Sequence, residues 1–118
     1  MEILENAIAN NLDVISVTDH NSTKGGIETR NLAEKKDMPI KVIVGQEVLT
    51  DSGEIIVLNI EEEIPKHLTL EETLSYGKKG FIIAPHPFDK FRKGIGHAIN
   101  SVKDEIDAIE VFNSRTIM

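Results

Sequence analysis

The strongest constraint on the fold is a series of short, almost wholly apolar and β-branched runs separated by helix-like segments. Val14-Ile15-Ser16-Val17-Thr18, then Ile40 to Val48, then Phe81-Ile82-Ile83-Ala84, then Ala108-Ile109-Glu110-Val111-Phe112 read as strands, the first covered on both faces and the second buried. Ile3, Leu4, Ala7, Ile8 and Leu12 fall at spacings of three and four, which predicts an amphipathic helix that Asn10-Asn11 ends. A second helix is expected from about Thr23 to Lys36, before the Asp37-Met38-Pro39 break, and a short one around His97 to Lys103. Thr69-Leu70-Glu71-Glu72 is an N-cap with a Glu three residues on, opening a helix that Gly77 and Gly80 close. Such alternation predicts an α/β fold with mostly parallel strands and right-handed crossovers. One hairpin interrupts it, because only Thr50-Asp51-Ser52-Gly53 separates the second strand from Glu54-Ile55-Ile56-Val57-Leu58-Asn59-Ile60.

A chain of 118 residues suits a single domain with its own core, spanning 1–118. The absence of cysteine excludes disulfides, thiolate zinc sites and thiol nucleophiles, so any metal must take nitrogen and oxygen ligands. No apolar run approaches a membrane span and Met1-Glu2-Ile3-Leu4-Glu5-Asn6 lacks a basic n-region, so a cytoplasmic location is expected. With 13 Lys+Arg against 20 Asp+Glu, the net charge of -7 argues against a broad footprint for duplex nucleic acid. Lys78, Lys79, Lys90, Arg92 and Lys93 nevertheless gather around one His-Pro segment, either as a solvated basic loop or as a pocket for a small anion.

The unusual polar residues fall at the carboxyl ends of the expected strands. Asp19-His20 follows the first, Glu47 lies one residue from the end of the second, His86 follows the third, and Asn113-Ser114-Arg115 follows the fourth. In parallel α/β folds that edge collects the ligand-binding loops. Imidazole and carboxylate together suit Zn²⁺, Mn²⁺ or Fe²⁺, which makes His20, Glu47 and His86 a coherent ligand set. Pro87 pushes the residue before it toward extended backbone, which would narrow the directions open to the His86 ring. Each residue also has a plain structural reading: a histidine after a strand often caps or faces solvent, and Glu47 has a structural Lys or Arg partner as its alternative. A carboxylate within an apolar strand still demands a cation or several donors. Glu110 shares a face with Ala108 and Phe112 and is expected to point to the same interior, touching the metal or orienting a ligand. Asp19 either accepts from the His20 ring, fixing its tautomer, or caps the following helix. His67 and His97 read as surface residues.

Four segments together resemble, in order, the successive motifs of PHP (polymerase and histidinol phosphatase) domains, which are metal-dependent phosphoesterases. They are Ile15-Ser16-Val17-Thr18-Asp19-His20-Asn21, Val44-Gly45-Gln46-Glu47-Val48, Ile82-Ile83-Ala84-Pro85-His86-Pro87 and Ile106-Asp107-Ala108-Ile109-Glu110-Val111-Phe112-Asn113. The resemblance implies a distorted, TIM-like barrel of seven β/α units with divalent ions in a cleft. It also implies hydrolysis of phosphate esters, including histidinol phosphate and nucleotides, or service as an exonuclease module of a DNA polymerase. By the same resemblance His20, Glu47 and His86 are metal ligands with Glu47 bridging, and Asp19 and Glu110 serve the chemistry. Arg92, Asn113 and Arg115 would then hold phosphate, the arginines through their planar donor forks.

The departures shape the expectation as much as the matches. The family's His-x-His strand and its Gly-Ser-Asp-x-His motif have no counterpart in the sequence, and Glu54 to Leu58 lacks the ligand histidine often found on the second hairpin strand. The expectation is therefore a partial PHP-type barrel, either a piece of a longer protein or one completed by self-association or by a partner. Three functions follow from it. One is a phosphoesterase acting on a phosphorylated small molecule or nucleotide, weak or inactive unless the missing motifs are supplied. The second is a degenerate module that binds metal, phosphate or a partner without hydrolysis. The third is an interaction fragment whose polar residues satisfy one another.

Overall fold

In the computed structural model, which describes residues 2–88 and 94–111, five strands form one open sheet in the order β1-β2-β3-β4-β5. They are β1 (Val14–His20), β2 (Lys41–Thr50), β3 (Gly53–Leu58), β4 (Phe81–Ala84) and β5 (Ala108–Ile109). β1 with β2 and β4 with β5 pair in parallel, whereas β3 is antiparallel to both neighbours. The expected mostly parallel sheet is therefore a mixed one, because the second hairpin strand inserts between β2 and β4 and pairs on both sides. β1, β2, β4 and β5 still share one direction. No barrel closes among the described residues: β1 and β5 stand at the two edges of the sheet.

Four helices accompany the sheet: α1 (Glu2–Ala9), α2 (Lys24–Lys35), α3 (Leu70–Gly77) and the short α4 (Ile99–Val102), the last flanked by 3-10 turns. α3 opens as its sequence requires. Glu72 N–H donates to the Thr69 hydroxyl and Thr69 N–H donates to the Glu72 carboxylate, both at 3.1 Å. α1 ends where Asn11 takes a left-handed φ of 61°, a conformation asparagine tolerates better than most residues.

Strand alternation divides the sheet into two unlike faces. Val42, Val44, Gln46 and Val48 of β2, with Ile55 and Val57 of β3 and Ile82 and Ala84 of β4, are buried on one. α3 and α4 cover the β2–β4 part through Leu70, Leu74, Ile99 and Val102, and Leu4 and Ala33 cover Val17 and Val42 near β1. Gln46 is wholly buried, and its side chain donates to Ile64 O (2.8 Å) and accepts from Ile64 N–H (2.9 Å), tying β2 to the 59–69 loop. The opposite face, with Ile43, Leu49, Ile56, Leu58 and Ile83, is only half-buried, so the strands are not covered on both sides. Glu47 and Glu54 lie on this second face. Among the described residues no helix is long and apolar enough to cross a membrane.

Candidate metal centre

β1 continues two residues beyond its β-branched run, and His20 pairs in register with Glu47 of β2. Residues paired across parallel strands share a face, so the imidazole and the carboxylate project side by side. Glu47 in turn opposes Ile56 of β3, and Glu54 lies two residues before Ile56 on the same face, one diagonal step from Glu47. Because β3 runs backward, its first residues lie at the sheet edge where the other strands have their last. His86, two residues past β4, comes to that same edge.

The four side chains converge. His20 Nε2 lies 3.3 Å from Glu47 Oε2 and 3.4 Å from Glu54 Oε2. His86 Nε2 lies 3.8 Å from the other oxygen of each, Oε1 of Glu47 and Oε1 of Glu54. Both carboxylates thus turn one oxygen toward each imidazole. Ligands held tetrahedrally at zinc-type bond lengths of about 2.0–2.2 Å stand about 3.4 Å apart. That is the spacing around His20, whose ligand atom and those of Glu47 and Glu54 all lie within 4.8 Å of one another.

Electrostatics favours a cation here. The Glu47 and Glu54 side chains are only 13% and 12% exposed, and two acids so close and so poorly solvated repel unless a positive charge intervenes. His20, at 75% side-chain exposure, makes ion pairs of the kind that contribute little in water. His86 is the opposite case. Its side chain is 1% exposed, and neither ring nitrogen has a hydrogen-bond partner among the described residues. Each orphaned polar atom costs about 1–3 kcal/mol, which a bound ion would offset at Nε2. Two nitrogens and four carboxylate oxygens suit Zn²⁺, Mn²⁺ or Fe²⁺.

The His86 backbone departs from the extended geometry expected before proline: its φ is 28°, in the left-handed region. The surroundings impose it. Glu110 accepts from His86 N–H at 2.9 Å, while Glu110 N–H donates to Ala84 O at 3.0 Å, so the turn is clamped to β5. Gly94 presses on the same turn, for a Cβ there would overlap the His86 carbonyl oxygen and stand 2.7 Å from Pro87. Gly53, with φ 134°, leaves room for Gly94 in turn, since its own Cβ would stand 2.6 Å from the Gly94 carbonyl. Through these two glycines the hairpin tip bearing Glu54 touches the segment behind His86.

Of the residues singled out in the sequence, His20, Glu47 and His86 are brought together. Glu110 binds the backbone of His86 and so orients a ligand loop. Asp19 does not join them: strand alternation turns it away from His20, and its carboxylate lies against Gly25 in the first turn of α2, the positive end of the helix dipole. Arg92, Asn113 and Arg115 lie outside the described residues. His67 and His97 are exposed, as expected for surface residues. Glu54 was missed by reasoning from carboxyl ends, although it opens the very strand whose customary histidine is absent.

No family model matches the chain. An uncharacterized protein of Methanocaldococcus jannaschii is 40% identical over 114 residues, covering 95% of this chain and 64% of the relative. A second from the same organism is 39% identical over 80 residues, covering 62% of this chain and 34% of the relative. The chain therefore spans somewhat under two-thirds of the first relative's length and about a third of the second's. Among solved structures, a two-domain protein from Bacteroides vulgatus containing a predicted PHP-like metal-dependent phosphoesterase superposes with a TM-score of 0.74. It is 19% identical, with 92% of this chain and 38% of that one covered, a likeness that shows a shared fold.

Proposed function

We propose that the chain carries the metal centre of a divalent-metal-dependent phosphoesterase, held by His20, Glu47, Glu54 and His86. One observation carries the reading: each carboxylate turns one oxygen to the exposed His20 and the other to the buried His86, whose ring nitrogens have no hydrogen-bond partner among the described residues. The fold shared with a protein described as containing a predicted metal-dependent phosphoesterase supports the choice of chemistry, as do the four PHP-like sequence segments. Divalent ions, when bound, polarise a phosphoryl oxygen and acidify water enough for attack near neutral pH. The chain's own residues have separable tasks. Glu47 and Glu54 would supply the negative charge that collects cations, and each has one oxygen toward either imidazole. His20 stands at the solvent side, where a phosphorylated small molecule or nucleotide would enter. Glu110 holds the His86 turn, and Arg92, Asn113 and Arg115 are the groups proposed for the phosphate.

A second reading rests on ligand number. Four protein ligands around one ion make a closed site, as in structural zinc centres, and a closed site binds without turnover. The pairing of opposite carboxylate oxygens with the two imidazoles favours the first reading, in which the four residues would hold metal and leave a place for water or substrate. Elemental analysis of the purified chain, alongside hydrolysis of p-nitrophenyl phosphate and of a dinucleotide with added Mn²⁺ or Zn²⁺, separates these readings. The expected result is metal-dependent turnover lost in His20→Ala and in His86→Ala. Bound metal without hydrolysis supports the closed site, and a chain that takes up no metal overturns both.

A further inference from the structure

His20 is the most exposed of the four proposed ligands, with its side chain 75% open to solvent. Something else must fix its direction. The next residue, Asn21, leaves the strand with φ 55°, a left-handed conformation in which asparagine is several-fold enriched. As the backbone turns away, Asn21 holds β2 at two points. Its N–H donates to Glu47 O at 2.7 Å, and its side-chain oxygen accepts from Leu49 N–H at 3.1 Å. The side chain thereby takes the place that a backbone carbonyl would hold if β1 ran on, a substitution for which asparagine is suited. The backbone bond falls on Glu47 itself, a proposed ligand, and the side-chain bond two residues further along.

From this we infer that Asn21 is a positioning residue for the metal centre: it fixes the end of β1 so that His20 meets Glu47 and Glu54 at coordinating distance. The inference rests on the metal reading above, and it assigns to Asn21 no contact with the ion. It requires both properties of asparagine at once, tolerance of positive φ and an acceptor oxygen on a short side chain. Asn21→Gly keeps the first and removes the second, whereas Asn21→Asp keeps both.

The test is Co²⁺ binding to the purified chain, followed by calorimetry and by the visible absorption band of the bound cobalt, with thermal unfolding measured beside it. Asn21→Gly is expected to weaken Co²⁺ binding about tenfold, the lower end of what outer partners of metal ligands contribute, and to alter the band. Asn21→Asp is expected to restore both. Thr69→Ala, which removes the α3 capping box and no contact of Asn21 or of the four proposed ligands, serves as the stability control and is expected to lower the unfolding temperature with the cobalt band unchanged. An Asn21→Gly protein that is less stable but binds Co²⁺ with unaltered affinity and spectrum would overturn the positioning role and leave the metal reading standing. Failure of Asn21→Asp to restore binding in a folded protein counts against it equally. A wild-type chain that binds no Co²⁺ removes the metal reading and this inference together.

Discussion

Glu54 stands one diagonal step from Glu47 across the β2–β3 hairpin, and the two carboxylates leave the same face of the sheet with little access to water. Their closeness gives Glu54→Gln two effects of opposite sign. Loss of a ligand oxygen's charge should lower divalent-metal affinity by more than about tenfold, since even outer partners contribute that much. Removal of like-charge repulsion should raise the unfolding temperature of the metal-free chain. Calorimetric titration with Zn²⁺ and thermal unfolding in chelator measure the two effects on one sample.

Metal removal should itself destabilise the wild-type chain. A ligand that binds only the folded state contributes about 2.7 kcal/mol when present at a hundred times its dissociation constant. Unfolding in the presence of EDTA should therefore occur at lower temperature than in Mn²⁺ or Zn²⁺, and the difference should vanish in a His20→Ala, His86→Ala double variant.

His86 gives a prediction that separates binding from stability. Replacing its ring by a leucine of similar size removes two buried nitrogens that have no hydrogen-bond partner among the described residues. Metal affinity should be lost in His86→Leu, while in the metal-free protein the relief of the buried nitrogens and the strain of a leucine at φ 28° should largely cancel, a net change below about 1 kcal/mol by urea unfolding in chelator. A large loss of stability in the absence of metal would show that the ring is satisfied in a way these contacts do not reveal.

Gly94 has no room for a side chain against His86 and Pro87. Gly94→Ala should cost at least about 2 kcal/mol, in the range of substitutions that force backbone apart, and should weaken metal binding as the His86 turn shifts. Denaturant unfolding and zinc titration check the two parts.

The sheet's edges bear on assembly. Val14 on β1 and Ile109 on β5 are 49% and 48% exposed, and unpaired strand edges of this kind invite pairing with another copy. Sedimentation at micromolar concentration should report a species larger than the monomer, reduced by Val14→Lys. A strictly monomeric mass counts against association.

Much of this was legible in the residues because much of it is local. The apolar runs gave four strand positions, the two-residue turn at Asp51-Ser52 gave the hairpin, and Thr69 with Glu72 gave the capping box. His20, Glu47 and His86 followed from the shared direction of β1, β2 and β4. What was not legible depends on contacts distant in the chain. The position of β3 between β2 and β4 is a tertiary choice, and with it the mixed character of the sheet. The left-handed φ of His86 defeats the pre-proline preference because Glu110, 24 residues on, accepts from its N–H and Gly94 packs against the turn. Glu54 was overlooked because it opens a reversed strand, so it reaches the ligand edge from the end opposite to the one where its companions were sought.

The reversed strand has a kinetic corollary. Glu47 and Glu54 belong to one hairpin closed by two residues, an element that forms in about 1–10 μs, whereas His20 and His86 arrive only after separate crossovers have docked. The anionic half of the centre is thus local in sequence and the imidazole half is not, so the two acids are brought together by one turn whereas the nitrogens depend on the whole sheet.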